Sequence, residues 1–308
     1  MNQSGSVFLG QIWHFILHLR LHYQFLILSG AYLMGSLVSE GFYFKDFLIQ
    51  FLNVHVLLFG GATAYNSFWD KDEGPIGGLS NPPEMAGWMW SVSLGIQAAG
   101  FVVAWLAGLI FTGFYTISLL LFWLYSSPLT RWKSHPHKSF AAIGISTGFN
   151  PVMMGVIASG GSLDRLSVWI IALGVMLILL SLYPISQVYQ MEEDSRRGDR
   201  TFALAYGKKG VLIFFKTAFS LGLILTAAAL SFNFLRLGIL FGAGGVLIAL
   251  VINHKIAELF SAEEGSYRQV MSIKYGTSLA FVCFLLASLI LKYGELPLFK
   301  KYAEWLFS

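Results

Sequence analysis

The sequence predicts an all-α membrane protein: about nine transmembrane helices, preceded by an N-terminal helix lying at the membrane interface. Two observations carry this. Hydrophobic residues make up 56% of the 308 positions against 12% charged, with a mean hydropathy of +0.66, well outside the range of soluble chains. The apolar residues are also gathered into runs long enough to cross a hydrocarbon core, which needs roughly 20 residues of helix.

Taken in order, the first twenty residues lack a basic leading segment and a small-residue cleavage site, and "SVFLGQIWHFILHLRLHYQ" mixes Gln, His and Arg into its apolar positions. This stretch reads as an interfacial helix and not as a signal peptide, with His14, His18 and His22 on its snorkelling face. The spans that follow fall at about 23–40, 47–69, 86–110, 112–130, 140–160, 166–189, 211–231, 236–254 and 273–292. The loops after the even-numbered spans are long and charged, the others short, so the polar chemistry collects on one membrane face. That face also holds most of the Lys and Arg, which by the positive-inside rule makes it and the N-terminus cytoplasmic. The spans are read as one polytopic membrane domain over 1–308, with a four-helix pseudo-repeat, 23–130 and 140–254, and a ninth helix added at 273–292.

The single cysteine, Cys283, excludes an intrachain disulfide and a cysteine metal cluster. A net charge of +4, spread over juxtamembrane loops, gives no nucleic-acid footprint, and nothing implies a protein partner.

The chemistry is concentrated in three places. At the end of the second span, "AYNSFWDKDEGPIGG" puts Asn66, Asp70 and Glu73 at i, i+4 and i+7, on one face of a continuing helix, with Asp72 rotated away and Lys71 projecting elsewhere. Ionised groups at the hydrocarbon boundary are costly unless they face a cavity, a partner or a metal. At the end of the sixth span, "SLYPISQVYQMEEDSRRGDRT" sets Gln187, Gln190 and Asp194 at i, i+3 and i+7, with Glu193 beside them and Arg197 within the next turn. Two opposed oxygen sets without His or Cys favour a hard cation such as Mg²⁺, which completes its octahedron with water and phosphate oxygens. Between them, "YSSPLTRWKSHPHK" supplies Tyr125, Ser126, Arg131 and Lys133, a fork and a point charge suited to a diphosphate.

These three motifs, in this order and at these span ends, resemble the UbiA-type intramembrane prenyltransferase superfamily. The resemblance rests on Asn66 with Asp70, then Tyr125, Ser126, Pro128, Arg131 and Lys133, then Asp194, Arg196, Gly198 and Thr201. It implies a helical bundle around a central cavity in which an isoprenyl diphosphate, bound through Mg²⁺, gives its prenyl group to a lipophilic acceptor, aromatic and quinone-precursor-like. It assigns metal ligation to Asn66, Asp70, Asp72 or Glu73, Gln190, Glu193 and Asp194. Diphosphate binding falls to Arg131 and Lys133 with Asn66, Lys71, Arg197, Tyr125 and Ser126. Asp70, Asp194, Arg131 and Lys133 are the catalytic set, and Asn150, Tyr183 and Gln187 are expected to face the cavity and the acceptor. The sequence departs from the family pattern where Gly74 replaces a second aspartate and Gln190 the first acid of the later motif, and Asp199 is an additional acid. A glycerophosphate-type acceptor, a secondary transporter and a catalytically silent family member are the competing readings; acids at span ends, not at mid-span, weigh against the transporter.

Overall fold

The computed structural model describes residues 3–72, 74–261, 267–294 and 297–307. Among these the chain is helical, with turns and loops and no β-strand beyond an isolated bridge between Ile76 and Leu79. Helix α1, Gln3–His18, breaks where Arg20 adopts a left-handed backbone, φ 49°, and α2 continues over residues 21–38. Then come α3 (Phe44–Asp70), α4 (Met89–Trp105), α5 (Leu109–Ser126), α6 (Pro136–Ala158), α7 (Leu166–Arg196), α8 (Phe202–Asn233), α9 (Leu235–Ser261), α10 (Tyr267–Tyr293) and α11 (Pro297–Phe307).

Eight helical runs are long and apolar enough to cross a membrane, the first of them Val7–Val38 taken through the break. A helix is expected within each of the nine spans, and each is present. The third differs in length: α4 has 17 residues, about 25 Å at 1.5 Å per residue, because the chain turns at Leu106–Gly108, where Gly108 has φ 91°. That falls short of the roughly 30 Å hydrocarbon thickness.

In lipid there is little hydrophobic drive between helices, so close packing and small residues set the approach. Helices α2 and α6 touch backbone to backbone: a Cβ on Gly35 would lie 2.0 Å from the Val152 carbonyl oxygen, and one on Gly155 2.1 Å from that of Tyr32. Three helices also carry π-helical stretches, Gln24–Leu28 in α2, Asn53–Gly60 in α3 and Gly144–Phe149 in α6. Such wide turns rotate the following face relative to the preceding one. They bring Ile27, Phe59 and Thr147 to a common cavity at the polar end of the bundle.

Candidate functional site

The acids at the end of α3 are built by the way that helix stops. Asn66 and Asp70 lie one turn apart, and Asn66 Nδ2 donates to Asp70 Oδ2. Asp70 Oδ1 is paired with the Lys133 ammonium, which arrives from the loop between α5 and α6; the two side chains are only 8% and 12% exposed. The helix does not continue through the motif. Lys71 has φ 48° and caps α3 in the left-handed region. Asp72 is therefore not rotated away as a continuous helix requires, but turned back against the bundle, where Arg197 Nη1 donates to its Oδ1 at 2.9 Å. Lys71 itself is exposed and lends only its carbonyl, at 3.3 Å from Arg197 Nη2. Glu73, expected on the same face as Asp70, lies outside the described residues.

The second set depends on Pro184. Proline cannot donate to the turn before it, and after Tyr183 α7 tightens into a 3₁₀ stretch, Pro184–Gln190, before resuming as Met191–Arg196. The expected spacing survives this change, and Tyr183, Gln187, Gln190 and Asp194 all line the cavity. Gln187 also accepts from the Ala203 N–H at 3.1 Å, tying α7 to the first turn of α8. Glu193 faces Arg197 instead, 2.6 Å away, so one guanidinium joins the acidic segments that follow α3 and close α7.

Beyond α7, Gly198 has φ 74°, a conformation glycine adopts without penalty, and the chain folds back. Asp199 then receives both arms of Arg131: Nε to Oδ1 at 2.9 Å and Nη2 to Oδ2 at 2.8 Å. These hydrogen bonds hold the Arg131 pKa above its ordinary range, keeping it a permanent cation. The backbone joins in, Arg200 N–H donating to Ser134 O at 3.0 Å. Arg20, Lys71 and Arg131 are the non-glycine residues with left-handed backbones among those described. All three are basic and sit at the ends of segments meeting at this site, the kind of local strain that tertiary contacts must hold in place.

The cavity enclosed has a volume of about 240 Å³ and is walled by α2, α3, α5, α6, α7 and α10. Asn66, Asp70, Asp72, Tyr125, Ser126, Lys133, Tyr183, Gln187, Gln190 and Asp194 come together on it. Tyr125 and Tyr183 share a hydrogen bond of 3.0 Å between their hydroxyls. Arg131, Lys71, Glu193 and Arg197 stand behind this wall, in the pairs described above. Asn150 does not reach the cavity: it is buried between α5 and α6, donating to Ser118 Oγ at 2.9 Å and to Phe114 O at 3.2 Å. Arg20, Tyr23 and Lys274 also line the space. By the positive-inside rule Arg20 and Lys274 count only among the basic residues of that face; the signal that sets them apart is that each is a cation within an apolar helical run.

The donor atoms suit a hard cation. Asn66, Asp70, Gln190 and Asp194 offer oxygen only, from two helices facing one cavity. No three His, Cys, Asp or Glu side chains converge as a self-sufficient cage among the described residues. The protein thus offers a partial shell, and it fits Mg²⁺, which binds through one or two carboxylates and takes its other ligands from water and substrate phosphates. Lys133 stands beside Asp70 and within electrostatic reach of Asp194, the place where a cation is needed between them.

Apolar helices long enough to cross a membrane, closed at one end by carboxylates and basic loops around a cavity, define a helical membrane protein with a polar site at the end of its bundle. The chain belongs to the UbiA prenyltransferase family, whose model matches residues 25–273. Among solved structures it is similar to a UbiA homolog from Archaeoglobus fulgidus bound to GPP and Mg²⁺, at 15% identity and TM-score 0.71, covering 89% of this chain and 99% of that one. A UbiA homolog from Aeropyrum pernix K1 in its apo form aligns at 19% identity and TM-score 0.62, over 88% and 98%. A digeranylgeranylglyceryl phosphate synthase aligns at 17% and 0.61, over 92% and 98%. At such identities the likeness is one of fold. Comparison with the curated proteins finds no significant match.

Proposed function

We propose that this chain transfers an isoprenyl group from an isoprenyl diphosphate to a lipophilic acceptor inside the membrane, with Mg²⁺ as cofactor. The observation that carries the reading is the placing of Asp70, Lys133 and Asp194 on one cavity that also has an apolar and aromatic stretch of wall, Ile27, Leu28, Phe59, Phe122 and Leu179. The ligands of the Archaeoglobus homolog, GPP and Mg²⁺, are the chemistry this arrangement suits.

When bound, the metal supplies positive charge to the diphosphate oxygens as the allylic C–O bond breaks. Asn66, Asp70, Gln190 and Asp194 would hold it. Lys133, freed from full engagement with Asp70, donates to the leaving diphosphate, which departs with the bonding electrons. Arg131 acts one step removed, holding the Lys133 loop against Asp199. The prenyl cation is kept from water by Ile27, Leu28, Phe59, Phe122 and Leu179. Phe59 and Phe122 meet edge to face at 5.7 Å and offer π surface to the positive charge. The acceptor's nucleophilic carbon or oxygen closes the new bond, and its proton passes to the departed diphosphate. The aromatic walls support an aromatic acceptor, with Tyr183 and Gln187 beside it. The Lys- and Arg-rich loops around the site support a cytoplasmic side by the positive-inside rule.

The test is binding of a non-hydrolysable isoprenyl diphosphate analogue to purified protein, with Mg²⁺ and then with EDTA. Binding lost on chelation and lost in Asp70→Ala supports the reading. No binding to folded protein in either condition sinks it and advances the transporter or silent-member readings.

A further inference from the structure

Helix α8 carries a polar stripe on its outward face. Lys209, Lys216 and Ser220, at i, i+7 and i+11, lie on one side of the helix and are all exposed. The apolar residues around them, Ile213, Leu221 and Ile224, are 54%, 51% and 64% exposed, so this side looks out of the bundle. The polar end of the span is marked by Lys208, whose Nζ donates to Phe260 O at 3.4 Å where α9 ends. Lys216 stands two turns further on, about 12 Å along the helix, inside a run apolar enough to cross a membrane. An ammonium there is costly unless it snorkels to the interface or finds a partner. Neither Lys209 nor Lys216 forms an ion pair or hydrogen bond among the described residues. The neighbouring Thr217 hydroxyl is turned back to Ile213 O at 2.9 Å, and Glu258, an exposed acid on the adjoining α9, is engaged with His254 on its own helix at 3.2 Å.

We infer that Lys209 and Lys216 form a docking site for the phosphate of an anionic phospholipid, seated on the outside of α8. Helical side chains lean toward the N-terminus of their own helix, and α8 begins at the polar end of the bundle. Both ammoniums are therefore directed to headgroup level, Lys216 rising from within the hydrocarbon and Lys209 standing near its edge. About 10 Å of helix separates them, a gap that two long flexible stems can close around one phosphodiester. Ile213, Leu221 and Ile224 give the acyl chains an apolar bed beside it. A zwitterionic lipid fits worse, because its own ammonium would stand against the two lysines, whereas paired basic residues at a membrane surface favour anionic headgroups. A second copy of the chain also fits worse: a twofold contact through this stripe would set lysine against lysine. No residue of α8 lines the cavity, so the site stands apart from the chemistry proposed there and does not depend on it.

The experiment titrates the full chain in detergent with dioctanoyl phosphatidylglycerol or dioctanoyl phosphatidylcholine, alone and with inorganic phosphate as competitor, and follows bound lipid by native mass spectrometry. The proteins are wild type, Lys216→Met, Lys216→Arg, the double variant Lys209→Met with Lys216→Met, and Lys45→Met, an exposed lysine at the other end of the bundle. Wild type is expected to hold phosphatidylglycerol about tenfold or more tighter than phosphatidylcholine, the scale of two lysines at an anionic headgroup. Lys216→Met should lower that preference several-fold and the double variant abolish it, while Lys216→Arg and Lys45→Met keep it. Each change falls on an exposed position, and unchanged melting temperatures in lipid-free detergent check that the variants fold. Equal retention of the two lipids by wild type, or a preference that survives in the double variant, overturns the site. So does inorganic phosphate that displaces phosphatidylglycerol at matched concentration, because the ligand is then not a lipid. A wild type that is dimeric in lipid-free detergent and turns monomeric in Lys216→Met gives the stripe to a second copy and also overturns it.

Discussion

Arg131 lays its Nε and Nη2 on the two carboxylate oxygens of Asp199, at 2.9 and 2.8 Å, joining the loop after α5 to the turn after α7 across 68 residues of chain. Asp199 is nearly buried, its side chain 6% exposed, while that of Arg131 is 31% exposed. Removing Arg131 leaves a carboxylate in a poorly solvated place, and Lys133 is held in position two residues away. Arg131→Ala is expected to destabilise by about 2 kcal/mol, below the range for fully buried pairs because the guanidinium keeps part of its solvent. Thermal melts should show Asp199→Asn restoring much of the loss in the Arg131→Ala background. Equal, additive losses in both single variants and the double would mean that the fork does not couple the loops.

Asp70 and Asp194 reach one cavity from α3 and α7, and each is proposed to ligand the same cation. Asp70→Asn and Asp194→Asn should each lower Mg²⁺-dependent turnover by on the order of 10²-fold or more, the scale of losing charge stabilisation at a reacting centre. EDTA should reproduce the loss in wild type. The fold should survive, since Asn66 and Lys133 can still hydrogen-bond an amide at 70. Turnover of a prenyl diphosphate with Asp194→Asn at the wild-type rate would remove α7 from the metal site.

Much of this was legible because it follows from one-dimensional regularities. The apolar runs foretell the helices, and helical spacing foretells that Asn66 meets Asp70 and that Gln187, Gln190 and Asp194 share a wall. What was hidden depends on contacts distant in sequence. That α3 ends at Asp70 is a matter of a left-handed Lys71, which nothing in its neighbours' polarity announces, and it redirects Asp72 to an arginine 125 residues away. Asn150 reads as a cavity residue from its place before Pro151, yet the partner that claims it, Ser118, stands on α5. Arg20 and Lys274 count only among the basic residues of their face until the fold brings them to one cavity wall.

Arg197 carries both acidic segments at once, with Asp72 at 2.9 Å and Glu193 at 2.6 Å. Its side chain is 23% exposed, so the bridge is partly screened. Arg197→Ala should leave Asp72 and Glu193 in mutual repulsion near the cavity mouth. The expected result is a several-fold rise in the Mg²⁺ concentration giving half-maximal donor binding, with a smaller effect in Arg197→Lys, which keeps the charge but not the fork. Measuring that concentration for the three proteins checks it; a shift equal for Ala and Lys would point to geometry alone, and no shift would detach the bridge from the site.

The close approach of α2 and α6 makes the last prediction. Gly35 and Gly155 are reciprocal: the Cβ of either would run into the other helix's backbone, 2.0 Å from Val152 O or 2.1 Å from Tyr32 O. Backbone cannot move aside as a flexible side chain does, so Gly155→Ala must separate the helices. It should cost about 2 kcal/mol or more, and Gly155→Leu more still. The displacement also bears on function, because α2 carries Tyr23, Gln24 and Ile27, and α6 carries Thr147, on the cavity wall. A widened α2–α6 crossing should thus weaken ligand binding in protein that remains folded. By contrast Gly113, on α5, has open space where its Cβ would stand, and Gly113→Ala should leave both melting temperature and binding unchanged. If Gly155→Ala melts with Gly113→Ala and wild type, the two helices are not in backbone contact and this account of how the cavity is framed fails.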